Sequence, residues 1–341
     1  MKRRLLDIYD ALLLDLDGTV YRGGEAVPGA AEAVKAAREN GTAVRFVTNN
    51  ASRSPEDVAE HLTGLGVAAE PIEVSTSAQA AGTVLAERLE PGDEVLVVGT
   101  SALVDIVGAA GLKPVRTFTD DVKAVVQGLS RDIGYRDIAE ATLAIRAGAL
   151  WVACNMDPTL PTERGQLPGN GALVAAVRAA TGQEPVVAGK PARPLMDEAI
   201  TSANASSPLV VGDRLDTDIA GAVTAEVDAL LVLSGVTTPA DLLAAPAWLR
   251  PRYVAASVGD LCGPADGLEI AAQRAWEVDR TDHLVTARWT GNGAVVDELA
   301  LLRALCAAHR PIDGGEIKVR AEDDTTRGAL RTLGIARTAV P

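Results

Sequence analysis

Five short apolar runs, at residues 11–14, 44–47, 95–98, 186–188 and 209–211, constrain this chain more than any other feature. They are rich in Val, Ala and Leu, as strands buried on both faces of a sheet are. Helical periodicity follows most of them, for example over 55–65 and 193–203. Strands alternating with helices specify a parallel sheet covered on both faces. In such sheets ligands sit beyond the carboxyl ends of the strands, near the switch in strand order. Four of those ends carry Asp15, Thr48, Lys190 and Asp213, all polar or charged.

With 341 residues the chain is too long for one small core, and two or three domains are expected. Its 48% hydrophobic content and evenly spread Gly and Pro are those of a folded globular protein. The longest stretch without a charge, 199–212, is too short and too polar to cross a bilayer, so no membrane insertion is expected. Met1-Lys2-Arg3-Arg4-Leu5-Leu6 begins as a signal peptide does, but Asp7 and Asp10 break the apolar region that should follow. Cys154, Cys262 and Cys306 are far apart and form no metal or redox spacing, which fits a reducing cytoplasm. His61, His283 and His309 are equally dispersed. A formal charge of −14 disfavours a nucleic-acid-binding face but leaves room for a small phosphate ester in a local pocket.

Asp15-Leu16-Asp17-Gly18-Thr19 follows the first run directly. Two carboxylates two residues apart, where an extended strand breaks at a glycine, can enter one pocket. One can attack phosphorus while the other exchanges a proton with the ester oxygen. An ordinary Asp-Gly turn is the plainer alternative. Thr48-Asn49-Asn50 offers a hydroxyl and two amides that can donate to phosphoryl oxygens, although such residues also make turns and caps. Gly189-Lys190-Pro191 places a cation at a strand end in a chain with six Lys against 26 Arg. It is no P-loop, since Pro191 stands where Ser or Thr is required. Asp213, in Gly212-Asp213-Arg214-Leu215-Asp216-Thr217-Asp218, has the hard oxygen that magnesium favours. Asp218 either orients that loop or complements the dipole of a helix start.

In this order and at these strand ends, the four motifs resemble those of the haloacid dehalogenase superfamily of phosphatases, subclass IIA, over residues 11–261. The resemblance implies a Rossmann-like, doubly wound parallel α/β core at 1–91 and 183–262, an inserted α/β cap at 92–182, and a small α+β extension at 263–341. It implies a magnesium-dependent phosphomonoester hydrolase. Asp15 is then the nucleophile and a metal ligand, and Asp17 the general acid and base with its backbone carbonyl on the metal. Thr48, Asn49, Asn50 and Lys190 bind the phosphoryl group, Asp213 is the third metal ligand, and Asp218 lies behind it. Asn155, Asp157 and Leu160 fall in the segment that faces the substrate. Some vitamin-dephosphorylating relatives have a His near the position of Leu160, which puts that substrate in doubt here.

Between 155 and 171 there is no aromatic residue on which a base or vitamin ring could stack, while Asn155, Asp157, Thr159 and Thr162 can bond hydroxyls. The extension is also similar to that of actinobacterial glycerol 3-phosphate phosphatases. A small polyol phosphate, glycerol 3-phosphate first, is therefore the expected substrate. Nucleotide or broad sugar-phosphate hydrolysis, phosphotransfer, and non-catalytic sensing of a phosphate ligand are the alternatives. The sequence does not decide whether the chain forms a homodimer. The extension reads β–β–α–β–α (strands at 275–279, 283–289 and 316–321, helices at 296–309 and 325–333) and resembles part of an acetyltransferase fold. It lacks an acetyl-coenzyme A pyrophosphate loop, and a structural role is expected.

Overall fold

A computed structural model describes residues 3–162, 164–281, 284–291, 295–312, 314–315 and 317–335. The chain divides into two compact units, one comprising residues 1–44, 65–68 and 205–341, the other 45–64 and 69–204.

In the first unit Tyr253–Ala255, Asp228–Val232, Pro208–Gly212 and Ala11–Leu14 run side by side in that order. Every pairing among them is parallel. Ala11–Leu14 and Pro208–Gly212 are buried along their whole length, as strands covered on both faces must be. Leu14 is in register with Val211, and the ladder continues through a 2.8 Å bond from the Asp15 amide to the Val211 carbonyl. Adjacent strands thus release Asp15 and Asp213 at the same edge of the sheet.

The extension belongs to this unit. Trp276–Thr281 and Leu284–Trp289 form an antiparallel pair to which Lys318–Ala321 adds in parallel. Helices Glu298–Ala308 and Asp324–Thr332 complete it. These elements match the runs expected from sequence, except that His283 and Glu316, expected at strand starts, lie outside the described residues. Arg303, buried on the first of these helices, donates through Nε to the Val254 carbonyl at 2.9 Å, and Arg250 Nη1 reaches the Cys306 carbonyl at 3.2 Å. Leu301, Leu302 and Leu305 are fully buried.

In the second unit Phe46–Thr48, the end of strand Ala43–Thr48, runs parallel to Val74–Thr76. A five-stranded, all-parallel sheet follows, ordered Val186–Val187, Leu150–Ala153, Val122–Gln127, Glu94–Val98, Lys113–Val115. Helices Tyr135–Arg146 and Asn170–Thr181 bury Ala141, Ile145, Val174 and Val177 against Leu96, Val125 and Trp151 of this sheet.

One sequence expectation is corrected. The run 186–188 is a strand, Val186–Val187, but it pairs with Leu150–Ala153 in the five-stranded sheet, so Lys190 does not follow a strand of the sheet that carries Asp15. Apolar composition tells that a strand is buried, not which partner it takes. The segment 151–169 contains the end of a strand and the hairpin Thr159–Thr162/Gly165–Pro168. Gly165, at φ +112°, supplies the left-handed turn, and Thr162 Oγ1 donates to its carbonyl at 2.8 Å.

The extension should therefore be a source of stability for the first unit. Leu305→Ala is expected to cost about 2–5 kcal/mol, as large buried leucines do. Denaturant unfolding measures it, and a loss below about 1 kcal/mol would mean that the extension folds apart from the sheet.

Candidate active site

Asp15 leaves the sheet one residue beyond Leu14, and the backbone turns at once. The Gly18 amide donates to the Tyr21 carbonyl at 2.7 Å, and Val20 and Tyr21 donate to the Leu16 carbonyl at 2.8 and 3.1 Å. Leu16 anchors the turn by burying its side chain, while Asp17, between two buried neighbours, points to solvent. Gly18 has φ +91°, and a Cβ there would lie 2.5 Å from Asp213 Oδ2. Only glycine serves both demands.

Asp213 is fully buried, one residue beyond Gly212. Its Oδ2 accepts from the Val236 amide at 2.6 Å, and its carbonyl from the Thr237 amide at 3.1 Å. The turn that makes these contacts follows strand Asp228–Val232. Gly235 passes so close that a Cβ on it would lie 1.9 Å from Asp213 Oδ2. Ser234 Oγ donates to the Gly18 carbonyl at 2.6 Å, and Arg22 donates to the Ser234 carbonyl. Residues 234–236 thus tie the Asp15 turn to Asp213. They were missed in the sequence because nothing in Ser-Gly-Val marks chemistry. The available signal was the apolar run 229–233, followed by Ser234-Gly235, another strand end of the same kind.

Asp218 sits on a π-helical turn, Leu215–Ile219, in which the amides of both Asp218 and Ile219 reach the Arg214 carbonyl at 3.1 Å. Such wide turns accompany functional sites. Asp218 Oδ2 accepts from the Arg214 amide at 3.1 Å, and the residue is 1% exposed. One carboxylate oxygen each from Asp15, Asp213 and Asp218 lies within 4.8 Å of the others. Three hard oxygen donors converging in this way fit magnesium. Asp218, expected behind the metal ligands, supplies one of these three oxygens.

Asp17 differs from these three. Desolvation by the surrounding protein holds its carboxyl above the usual carboxylate range, with the Arg22 charge pulling the other way. A carboxyl that holds its proton longer suits acid–base work.

In the second unit Thr48, Asn49 and Asn50 end one strand and Lys190 lies just past another. Lys190 is 3% exposed and its Nζ donates to the Val47 carbonyl at 3.0 Å. Thr48 Oγ1 accepts from the Asn50 amide at 3.1 Å, and Asn50 Oδ1 accepts from Ser52 N and Oγ at 2.8 and 2.7 Å. Asn49 is engaged at both ends of its amide. Oδ1 accepts from Lys190 N at 2.8 Å, while Nδ2 donates to Lys190 O at 3.0 Å and to Asp157 Oδ2 at 3.2 Å.

Asn155 is one of the three residues expected to face the substrate. It is buried, its Nδ2 donates to the Asn49 carbonyl at 2.7 Å, and its Oδ1 accepts from the Asp157 amide at 3.2 Å. Engaged at both ends of its amide, Asn155 supports the loop. Asp157 is half-buried, and Leu160 is half-buried in the hairpin, in register with Leu167.

Comparison with known proteins places these features in a family. Residues 12–113 match the model of the haloacid dehalogenase-like hydrolases, and 187–261 a second model of the same hydrolase type. Residues 273–335 match a GCN5-related N-acetyltransferase-like domain, in keeping with the fold resemblance of the extension. The D-glycerol 3-phosphate phosphatase of Mycobacterium tuberculosis is 46% identical over 98% of this chain and 96% of its own length. An acid sugar phosphatase of Staphylococcus saprophyticus is 39% identical over 69% of this chain and 90% of its own. A crystal structure of glycerol phosphate phosphatase from Mycobacterium tuberculosis in complex with magnesium superposes with a TM-score of 0.92 at 47% identity, covering 98% of this chain and 100% of that one. With two family models matched and, over 98% of its length, 46% identity to a relative, this chain belongs to the haloacid dehalogenase-like hydrolase family.

Proposed function

We propose that the chain is a magnesium-dependent phosphatase that hydrolyses glycerol 3-phosphate through an aspartyl-phosphate at Asp15. The observation that carries the chemistry is the convergence of Asp15, Asp213 and Asp218 within 4.8 Å. These three would hold the magnesium, with the Asp17 carbonyl as a further donor. Bound there, magnesium offsets the charge of the carboxylates and of the phosphoryl oxygens.

The rest is the work of side chains. The Asp15 carboxylate attacks phosphorus, forming an acyl phosphate as the bond to the ester oxygen breaks. Asp17 gives its proton to that departing oxygen. It then takes a proton from the water that attacks the acyl phosphate, releasing inorganic phosphate and freeing Asp15. Thr48, Asn50 and Lys190 are assigned by the same proposal to binding the phosphoryl group, Lys190 by its charge. The divisions 1–91 with 183–262, 92–182, and 263–341 are kept within this reading, specificity being assigned to 92–182.

Two observations support glycerol 3-phosphate. The segment 155–171 has no ring on which a base could stack, and the relative that spans the chain end to end is a D-glycerol 3-phosphate phosphatase. A broader sugar-phosphate activity is the second reading, favoured by the acid sugar phosphatase match. No described helix is long and apolar enough to cross a membrane.

Asp17→Asn should lower kcat on an alkyl phosphate by about 10²–10⁴-fold, with a smaller loss on nitrophenyl phosphate, whose leaving group barely needs a proton. Equal losses on both would remove Asp17 from that role. Activity should vanish in chelator and return with magnesium, and Asp213→Ala should weaken magnesium binding measured by calorimetry. Unchanged affinity in that variant would overturn the metal assignment. Across glycerol 3-phosphate, uridine monophosphate and pyridoxal phosphate, kcat/KM should be highest for the first. A preference of about tenfold for either ring-bearing substrate, 1.4 kcal/mol in transition-state binding, would contradict the substrate assignment.

A further inference from the structure

Asn49 has no hydrogen-bonding capacity left for a ligand on its donor side. An Asn amide carries two donor hydrogens, and Asn49 spends them on Lys190 O and Asp157 Oδ2 at 3.0 and 3.2 Å. With Oδ1 on Lys190 N at 2.8 Å, this one side chain brackets the Lys190 residue from both sides. Its own carbonyl is held in turn by Ser77 Oγ at 2.6 Å and Asn155 Nδ2 at 2.7 Å. Asn170, 1% exposed, extends the series by donating through Nδ2 to the carbonyls of Asn155 at 2.8 Å and Gln127 at 3.3 Å. The packing is close enough that a Cβ on Gly189 would lie 2.6 Å from Asn49 Oδ1. Asn49 and Asp157 are half-buried and Asn155 and Asn170 buried, and hydrogen bonds shielded from water in this way are costly to leave half-made, so the series holds one geometry.

We propose that Asn49 and Asp157 are positioning residues that together set Lys190, rather than groups that touch the substrate. The proposal rests on the reading of Lys190 as a phosphoryl-binding group. Asp157 accepts from Asn49 Nδ2 and so fixes which end of the amide faces Lys190 N and which faces Lys190 O. A flipped Asn49 would set its oxygen against Lys190 O and its NH₂ against Lys190 N, breaking both bonds. The Asp157 carboxylate thus selects the amide orientation, and the lysine follows.

The test is a swap of the two partners, read by affinity for inorganic phosphate in the presence of magnesium as well as by turnover. Asn49→Asp sets two carboxylates against each other and removes the donor to Lys190 O. Phosphate affinity should fall about tenfold or more, and KM should rise further than kcat falls. Asp157→Asn keeps an acceptor for Asn49 and should stay within about threefold of the parent, whereas Asp157→Ala should lose about tenfold. In Asn49→Asp/Asp157→Asn the new amide at 157 donates to the new carboxylate at 49, and at least part of the lost affinity should return. Melting temperatures within a few degrees of the parent separate positioning from unfolding. A double variant no better than Asn49→Asp alone would overturn the proposal, as would Asp157→Asn as damaging as Asp157→Ala. Should Asn49→Asp fail to fold, the comparison of Asp157→Asn with Asp157→Ala decides. If instead the parent releases no phosphate from any ester in magnesium, it is the phosphatase reading that falls.

Discussion

Three carboxylates within 4.8 Å of one another are the constraint around which the first unit is organised. Like charges at that spacing in a partly desolvated site repel strongly, and the fold must both force them together and make room for a hard cation. Parallel pairing of Ala11–Leu14 with Pro208–Gly212 does the first, because it delivers Asp15 and Asp213 from adjacent strands at one edge. The π-helical turn 215–219 brings Asp218 round to join them. Gly18 and Gly235 do the second by leaving Asp213 Oδ2 no Cβ to collide with.

The surrounding bonds serve the same end. Val236 N fixes one oxygen of Asp213, and Ser234 ties the following turn back to Gly18. Asp17, two residues along, lies outside the cluster, and desolvation by the surrounding protein keeps its proton affinity above that of an ordinary carboxylate. Two aspartates two residues apart thereby meet different environments, as the separate roles proposed for them require. The C-terminal extension is joined to the same sheet through Arg303, whose Nε donates to the Val254 carbonyl.

Much of this was legible in the sequence, for a definite reason. Buried parallel strands read as short apolar runs, and a charged residue directly after such a run has few structural excuses. That logic located Asp15, Thr48, Lys190 and Asp213, and the five runs are all strands. It could not say that 186–188 would pair within the five-stranded sheet, because strand partners are chosen by long-range packing that composition does not encode. Nor could it find Ser234, Gly235 and Val236, whose contribution is a backbone amide, a close approach and a hydroxyl on a carbonyl. Asn49 and Asn155 illustrate the converse. Their amides are candidate ligand donors in the sequence, but only hydrogen-bond geometry reveals that Asn49 Nδ2 has both hydrogens engaged and that Asn155 braces the Asn49 carbonyl.

The central claim is that Asp15 carries the phosphoryl group during turnover. The most direct measurement is to quench the magnesium-loaded enzyme with acid during the first turnover of glycerol 3-phosphate. Borohydride then reduces any acyl phosphate, and the modified residue is located by mass spectrometry. The account predicts reduction of a single aspartate, Asp15, to homoserine, with none in enzyme quenched without substrate. Reduction at Asp17 or Asp213 instead, or an unmodified Asp15 in enzyme that has demonstrably released phosphate, would contradict it.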